Sequence, residues 1–159
     1  MALSVAGRVE VAMARLPELT GTPLGPSRPV LMNQQRITTF ADATEDHQWI
    51  HTDPVKASSG PFGGTVAHGF LTLSLLATIL EQLICVTDAG LAVNYGLNKV
   101  RFPQPVPVDT NVIGSGQISG VAEVPHGIQV GYNIELSGGG QTKPFCVAEY
   151  IVRYYEAQP

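Results

Sequence analysis

Asp46 and His51 stand five residues apart in a stretch, 40–76, that also holds His47, Asp53, His68 and the single tryptophan, Trp49. A carboxylate and an imidazole facing one small space can hold a water between them. One takes its proton while the other donates one. In an ideal helix of 3.6 residues per turn, the two side chains would point about 140° apart. They converge only where the chain bends. The lack of helical periodicity from Asp46 to Thr52, with Asp53-Pro54 next, supports a turn or loop there. The plainer reading is a capping Asp46 and a surface His51.

The segment GGTVAHG, 63–69, runs straight into the longest apolar run. Amides near Gly69 are then free donors at a helix N-terminus, where the dipole favours negative charge. A glycine lets a substrate approach the backbone, and such a donor suits an oxyanion or enolate. Alternatively, Gly69 only makes room for a neighbouring strand. A metal site is a further option, since His47 and His51 would share a helical face with Asp46, Asp53 and His68 nearby. The spacing fits no specific zinc pattern, and Asp53-Pro54 breaks the helix, so no metal is expected. His126, between Pro125 and Gly127, reads as an exposed turn residue. Lys99 and Arg101 read as solvated strand charges unless a phosphate-bearing ligand lies alongside. No G-x-S-x-G elbow, P-loop or dinucleotide fingerprint occurs, and Cys85 and Cys146 lie in apolar runs that keep thiols inert. Acid/base chemistry is what remains.

The elements that must position these groups follow from the pattern. A length of 159 residues, 44% hydrophobic and 14% charged, suits one domain with a sizeable core. A net charge of -4 argues against a nucleic-acid partner. The N-terminus lacks the uncharged core of a secretory signal. The apolar run from Phe70 to Val86 is too short and too polar on one side to span a bilayer. A soluble, cytoplasmic protein without a membrane partner is expected, with two buried thiols rather than a disulfide. Residues 4–16 could form an amphipathic helix carrying Val5, Val9, Ala12, Met13 and Leu16, followed by a loop to residue 29. A short strand over Val30 to Met32 precedes a helix capped by Asn33 and ending near Thr44. Another helix starts at Asp53-Pro54 and stops at Gly60-Pro61. Three- and four-residue apolar spacing predicts a helix from His68 to about Val86, buried nearly all round. Strict alternation over 128–136 predicts a half-buried antiparallel strand. Leu91 to Phe102, Asn111 to Val124 and Lys143 to Tyr155 also read as strands. One long helix and about four long strands imply an α+β fold, an antiparallel sheet wrapped on a central helix.

Phe40, Asp46, Ile50, His51 and Ala57, with His68-Gly69 and then Val100-Arg101-Phe102 and Pro105-Val106, resemble the signature of the MaoC-like, (R)-specific enoyl-CoA hydratase family, hydratase 2. The match covers residues 40–110. Gln48-Trp49 replaces the usual Asn-Pro, and Glu45 the usual Gly. The runs DHQWIH and NYGLNKVRF look like the NodN-like, single-domain branch. Ala77 stands where some members carry a polar helper. The resemblance implies one hot-dog domain over 1–159, and reversible hydration of trans-2-enoyl-CoA to (R)-3-hydroxyacyl-CoA without a cofactor. Asp46 and His51 would hold the water and the Gly69 amide the enolate. Trp49, His68, Phe70, Asn98, Lys99 and Arg101 would meet the substrate, an acyl-CoA or acyl-carrier-protein thioester. The acyl chain would run along the central helix. A homodimer would join two sheets, with the pantetheine arm between subunits. An acyl-CoA thioesterase or a non-catalytic acyl-CoA-binding protein on the same fold is the alternative.

Overall fold

The computed structural model describes residues 7–157. The alternating segment becomes a strand that buries Val130, Tyr132, Ile134 and Leu136 and turns Asn133 and Glu135 to solvent. In chain order the strands are β1 (Val9–Val11), β2 (Pro23–Leu24), β3 (Val30–Met32), β4 (Ile84–Val86), β5 (Ala89–Arg101), β6 (Thr110–Val124), β7 (Gly127–Gly138) and β8 (Cys146–Glu156). The main sheet runs β2-β6-β7-β8-β5, with β3 also on β6, and its pairings are antiparallel. Tyr150 and Val152 of β8 lie opposite Tyr132 and Val130 of β7, so both strands present one apolar face.

The helices are α1 (Gln34–Thr44), α2 (Trp49–Thr52), α3 (Pro54–Ser58) and α4 (Gly69–Leu83). Helix α4 buries Leu71, Leu75, Leu76, Ile79, Leu80 and Leu83 at helical spacing, as part of the same core as the inner faces of β7 and β8. Each such side chain contributes about 1.5–3 kcal/mol on burial. Close approach needs Gly114 of β6, because a Cβ there would lie 2.3 Å from an Ile79 methyl.

Three expectations need correcting. Helix α4 is not buried all round: Phe70, Ser74, Thr78 and Glu81 form an exposed stripe. Its small polar residues recur at helical spacing, which counting Leu and Phe overlooks. The helix also stops at Leu83, since Ile84 takes extended backbone and starts β4. Near the N-terminus there is no helix over 9–12. Val9 and Val11 alternate about Glu10 and pair in parallel with Ile84–Val86, after which Met13–Leu19 forms a 3-10 helix. Tertiary pairing overrides a weak helical pattern there. Val5, which that pattern included, lies outside the described residues.

The segments around the candidate site are tied down locally. The Asn33 side chain accepts the Arg36 amide, and Asp53 accepts the Lys56 amide with Pro54 at the first helical position. Just before α4, Ala67 donates to the Val106 carbonyl at 2.8 Å, while Val108 donates to Thr65 at 3.0 Å. These bonds fix the entry into α4. No helix among the described residues is long and apolar enough to cross a membrane.

Candidate active site

Asp46 lies in the irregular link between α1 and α2, and His51 within the single turn of α2. The bend is therefore an extended stretch followed by a helical turn. It begins at Glu45, which caps α1 with a left-handed backbone, φ 61°. A glycine takes that conformation without a Cβ penalty, which explains why glycine suits the position before Asp46. The bend brings Asp46 and His51 together with His68, which caps α4 from 17 residues further along. One polar side-chain atom from each of the three lies within 4.8 Å of the others.

His51 is 7% exposed and its Nδ1 donates to the Val66 carbonyl at 2.6 Å. That bond fixes the tautomer and leaves Nε2 as an unprotonated acceptor. Gln34 braces the arrangement by donating to the His51 carbonyl at 2.8 Å and accepting from Thr65 Oγ1 at 2.6 Å. The Val66 amide closes the loop on the Ile50 carbonyl. His68 stacks on His51, ring centroids 3.8 Å apart, and Phe40 packs on His68 at 5.0 Å. The His68 Nε2 donates to the Asp46 carbonyl at 2.9 Å. Gly69 follows, its amide without an acceptor among the described residues and the helix start without a side-chain cap. The Phe102 ring covers it, 3.2 Å from where a Cβ would stand.

Burial pushes the His51 imidazole below its ordinary value of 6.5. The Val66 carbonyl opposes this, nearby His68 adds to it, and Asp46 opposes it. Well above pH 6.5 His51 is neutral folded or unfolded and contributes nothing to pH dependence. As pH falls below 6.5, the unfolded chain takes up a proton that the folded chain refuses, so stability declines until the lowered folded value is passed. His47 works in the opposite sense, since its hydrogen bond with Asp42 raises it. Two results are expected. The acid limb of kcat/KM lies below pH 6.5, and in a His47→Gln background urea stability falls on acidification through that same window. An acid limb at or above 6.5 counts against a buried neutral His51 as the titrating group.

Asp46, His51 and His68 are also residue types that a divalent cation takes. The stack works against chelation. Rings 3.8 Å apart and inclined by only 27° keep their planes separate, whereas a shared zinc must lie close to both planes at about 2.0–2.1 Å from each nitrogen. His47 does not join the cluster; its Nε2 pairs with exposed Asp42 at 2.9 Å.

A model of the MaoC-like domain matches residues 15–137. The chain belongs to the MaoC-like dehydratase family. A Mycobacterium tuberculosis protein named 3-hydroxyacyl-thioester dehydratase Z is 47% identical over 90% of this chain and 95% of its own length. Nodulation protein N of Rhizobium meliloti is 36% identical over 89% of this chain and 90% of its own. The solved (R)-hydratase of A. caviae superposes with TM-score 0.63 at 22% identity, covering 81% of this chain and 93% of that one. The fold is thus the hot-dog, an antiparallel sheet around a central helix. Hydratase/dehydratase chemistry comes with the MaoC-like family.

The other positions singled out in this MaoC-like chain have local surroundings of their own. Trp49 packs on Gly60 and under the Lys56 ammonium, 4.9 Å from the ring. Phe70 is 73% exposed beside Phe102. Asn98, Lys99 and Arg101 are exposed on β5, the strand that leads into Phe102. His126 occupies a turn, φ 61°, as expected. The bracing residues Gln34, Thr65 and Val66 escaped sequence reasoning. Two of them act through backbone or hydroxyl groups, and Gln34 is 17 residues from the carbonyl it holds.

Proposed function

We propose that the chain hydrates trans-2-enoyl-CoA thioesters to (R)-3-hydroxyacyl-CoA, and runs the reverse dehydration, through one water shared by Asp46 and His51. The observation that carries this reading is the Nδ1 bond of His51 to Val66, which aims an unprotonated Nε2 away from the backbone, within a cluster that includes the Asp46 side chain. In the proposed step the His51 Nε2 takes a proton from the water as its oxygen bonds to Cβ. Asp46 orients the water and stabilises the imidazolium. Charge gathering on the thioester oxygen is met by the Gly69 amide and the α4 dipole. The proton then returns from the pair to Cα on the same face, so water is added overall. A relative at 47% identity named as a dehydratase of 3-hydroxyacyl thioesters supports this substrate class. Lys99 and Arg101 offer charge to the CoA phosphates, and Trp49, Phe70 and Asn98 complete the proposed substrate contacts.

Crotonyl-CoA tests it. Hydration removes the enoyl absorbance, frees no thiol, yields the (R) product, and proceeds at an unchanged rate after exhaustive chelation. Thiol release identifies a thioesterase instead. An absence of turnover with every enoyl thioester identifies a binding protein.

A homodimer is part of the proposal. Strand β5 is a sheet edge of 13 residues, exposed along most of its length, with Leu91, Tyr95 and Leu97 each more than 40% exposed. Such an edge invites pairing with another chain. Sedimentation should give twice the mass of the chain, and Val93→Lys with Leu97→Lys should give a monomer. A monomeric parent removes this part.

A further inference from the structure

His68 touches both members of the proposed pair with a single ring. Its face lies on His51, centroids 3.8 Å apart and planes inclined by 27°, and its edge donates to the Asp46 carbonyl at 2.9 Å. The ring has little freedom. Phe40 packs on it at 5.0 Å, and the His68 carbonyl accepts from both the Thr72 amide and the Thr72 hydroxyl. One residue earlier, the Ala67 amide is held by Val106.

Packing alone does not account for a histidine here. The residue is 3% exposed, yet its Nδ1 is buried without a hydrogen-bond partner. An unpaired buried polar atom is destabilising, and a phenylalanine would fill a similar space without one. The edge that is paired holds the part of the site with the least support of its own. Asp46 follows the left-handed Glu45 and lies outside regular structure, so its carboxylate is aimed by whatever fixes its peptide. The donor is His68.

Resting on the hydratase reading above, the geometry points to His68 as a positioning residue, which sets the mutual orientation of Asp46 and His51 by gripping one and underlying the other. It takes no proton and needs no contact with substrate. The Nε2 edge is taken up by Asp46, and Nδ1 is left without a partner.

Two variants separate the grip from the stack. His68→Phe keeps an aromatic ring against His51, removes the unpaired nitrogen and loses the hold on Asp46. It should melt no lower than the parent, yet its kcat for crotonyl-CoA hydration should fall on the order of 10²-fold. Its KM should stay within about threefold, because the loss falls on orientation rather than on binding. His68→Gln retains a donor without the ring and should recover part of that rate. A His68→Phe variant with parental kcat overturns the proposal, as does one in which only KM rises, which would mark a substrate contact.

A second readout does not depend on activity. Imidazole 15N spectra of the parent should show His68 protonated at Nε2, and His68→Phe should speed amide exchange over residues 46–48. An Nδ1-protonated His68, or unchanged exchange, overturns positioning even if the enzyme is active. A parent that turns over no enoyl thioester removes the hydratase reading and leaves these two measurements to decide whether His68 holds the bend.

Discussion

Asp46→Asn is expected to lower kcat for enoyl-thioester hydration by about 10²–10⁴-fold, the range of a general acid/base group. KM and melting temperature should scarcely move. The reasons are separate. Asn keeps the shape of the side chain but loses the charge that, in the proposed step, orients the water and steadies a protonated His51. The Asp46 side chain is solvent-exposed, and the hydrogen bond that ties this residue down runs from His68 to its backbone carbonyl, which the substitution leaves in place. Stability should therefore stay within about 0.5 kcal/mol of the parent. Steady-state kinetics with crotonyl-CoA and a thermal melt of the same preparation check both halves. A variant that keeps parental kcat removes the carboxylate from the mechanism. A variant that loses activity only by unfolding shows that Asp46 serves the bend instead.

How far the sequence could reveal this arrangement depended on the range of the interaction involved. Short-range signals were readable. Asn33 and Asp53 cap helices as their positions predict, and the alternation about Tyr132 placed β7 with its buried side correct. Periodicity also located α4, but it described only that helix's apolar side. The exposed stripe through Ser74 and Thr78 depends on how far the sheet reaches around the helix, which no local pattern encodes. At the N-terminus the determining partner of Val9–Val11 is Ile84–Val86, some 75 residues away. The site divides along the same line. Asp46, His51, His68 and Gly69 stood out by residue type and by resemblance to the family signature. The bond between His51 and Val66, the Gln34 brace and the stack of the two histidines could not be read, because each joins segments whose meeting is a property of the whole fold. Pro105-Val106 occupies an intermediate case. The resemblance marked it without a reason, and the structure supplies one: the Val106 carbonyl anchors Ala67 at the entry to α4.

His51→Ala should cost a similar 10²–10⁴-fold in kcat, but unlike Asp46→Asn it should also destabilise the fold. The imidazole is buried, donates to Val66 and stacks on His68. Removing it strands the Val66 carbonyl, at about 1–3 kcal/mol, and opens space beside a ring that already carries one unpaired nitrogen. A lower melting temperature accompanying the lost rate is therefore expected here, and urea titration separates the two effects by showing the variant still folded at the assay temperature. The informative comparison is the double variant. If Asp46 and His51 act on one water, removing either disables the same step. Asp46→Asn with His51→Ala should then be little slower than the worse single variant, because groups that act as a unit are far from additive. Losses that multiply would mean that each residue lowers the barrier independently. A shared water would not explain that outcome, and the proposed mechanism would have to be abandoned even though both residues matter.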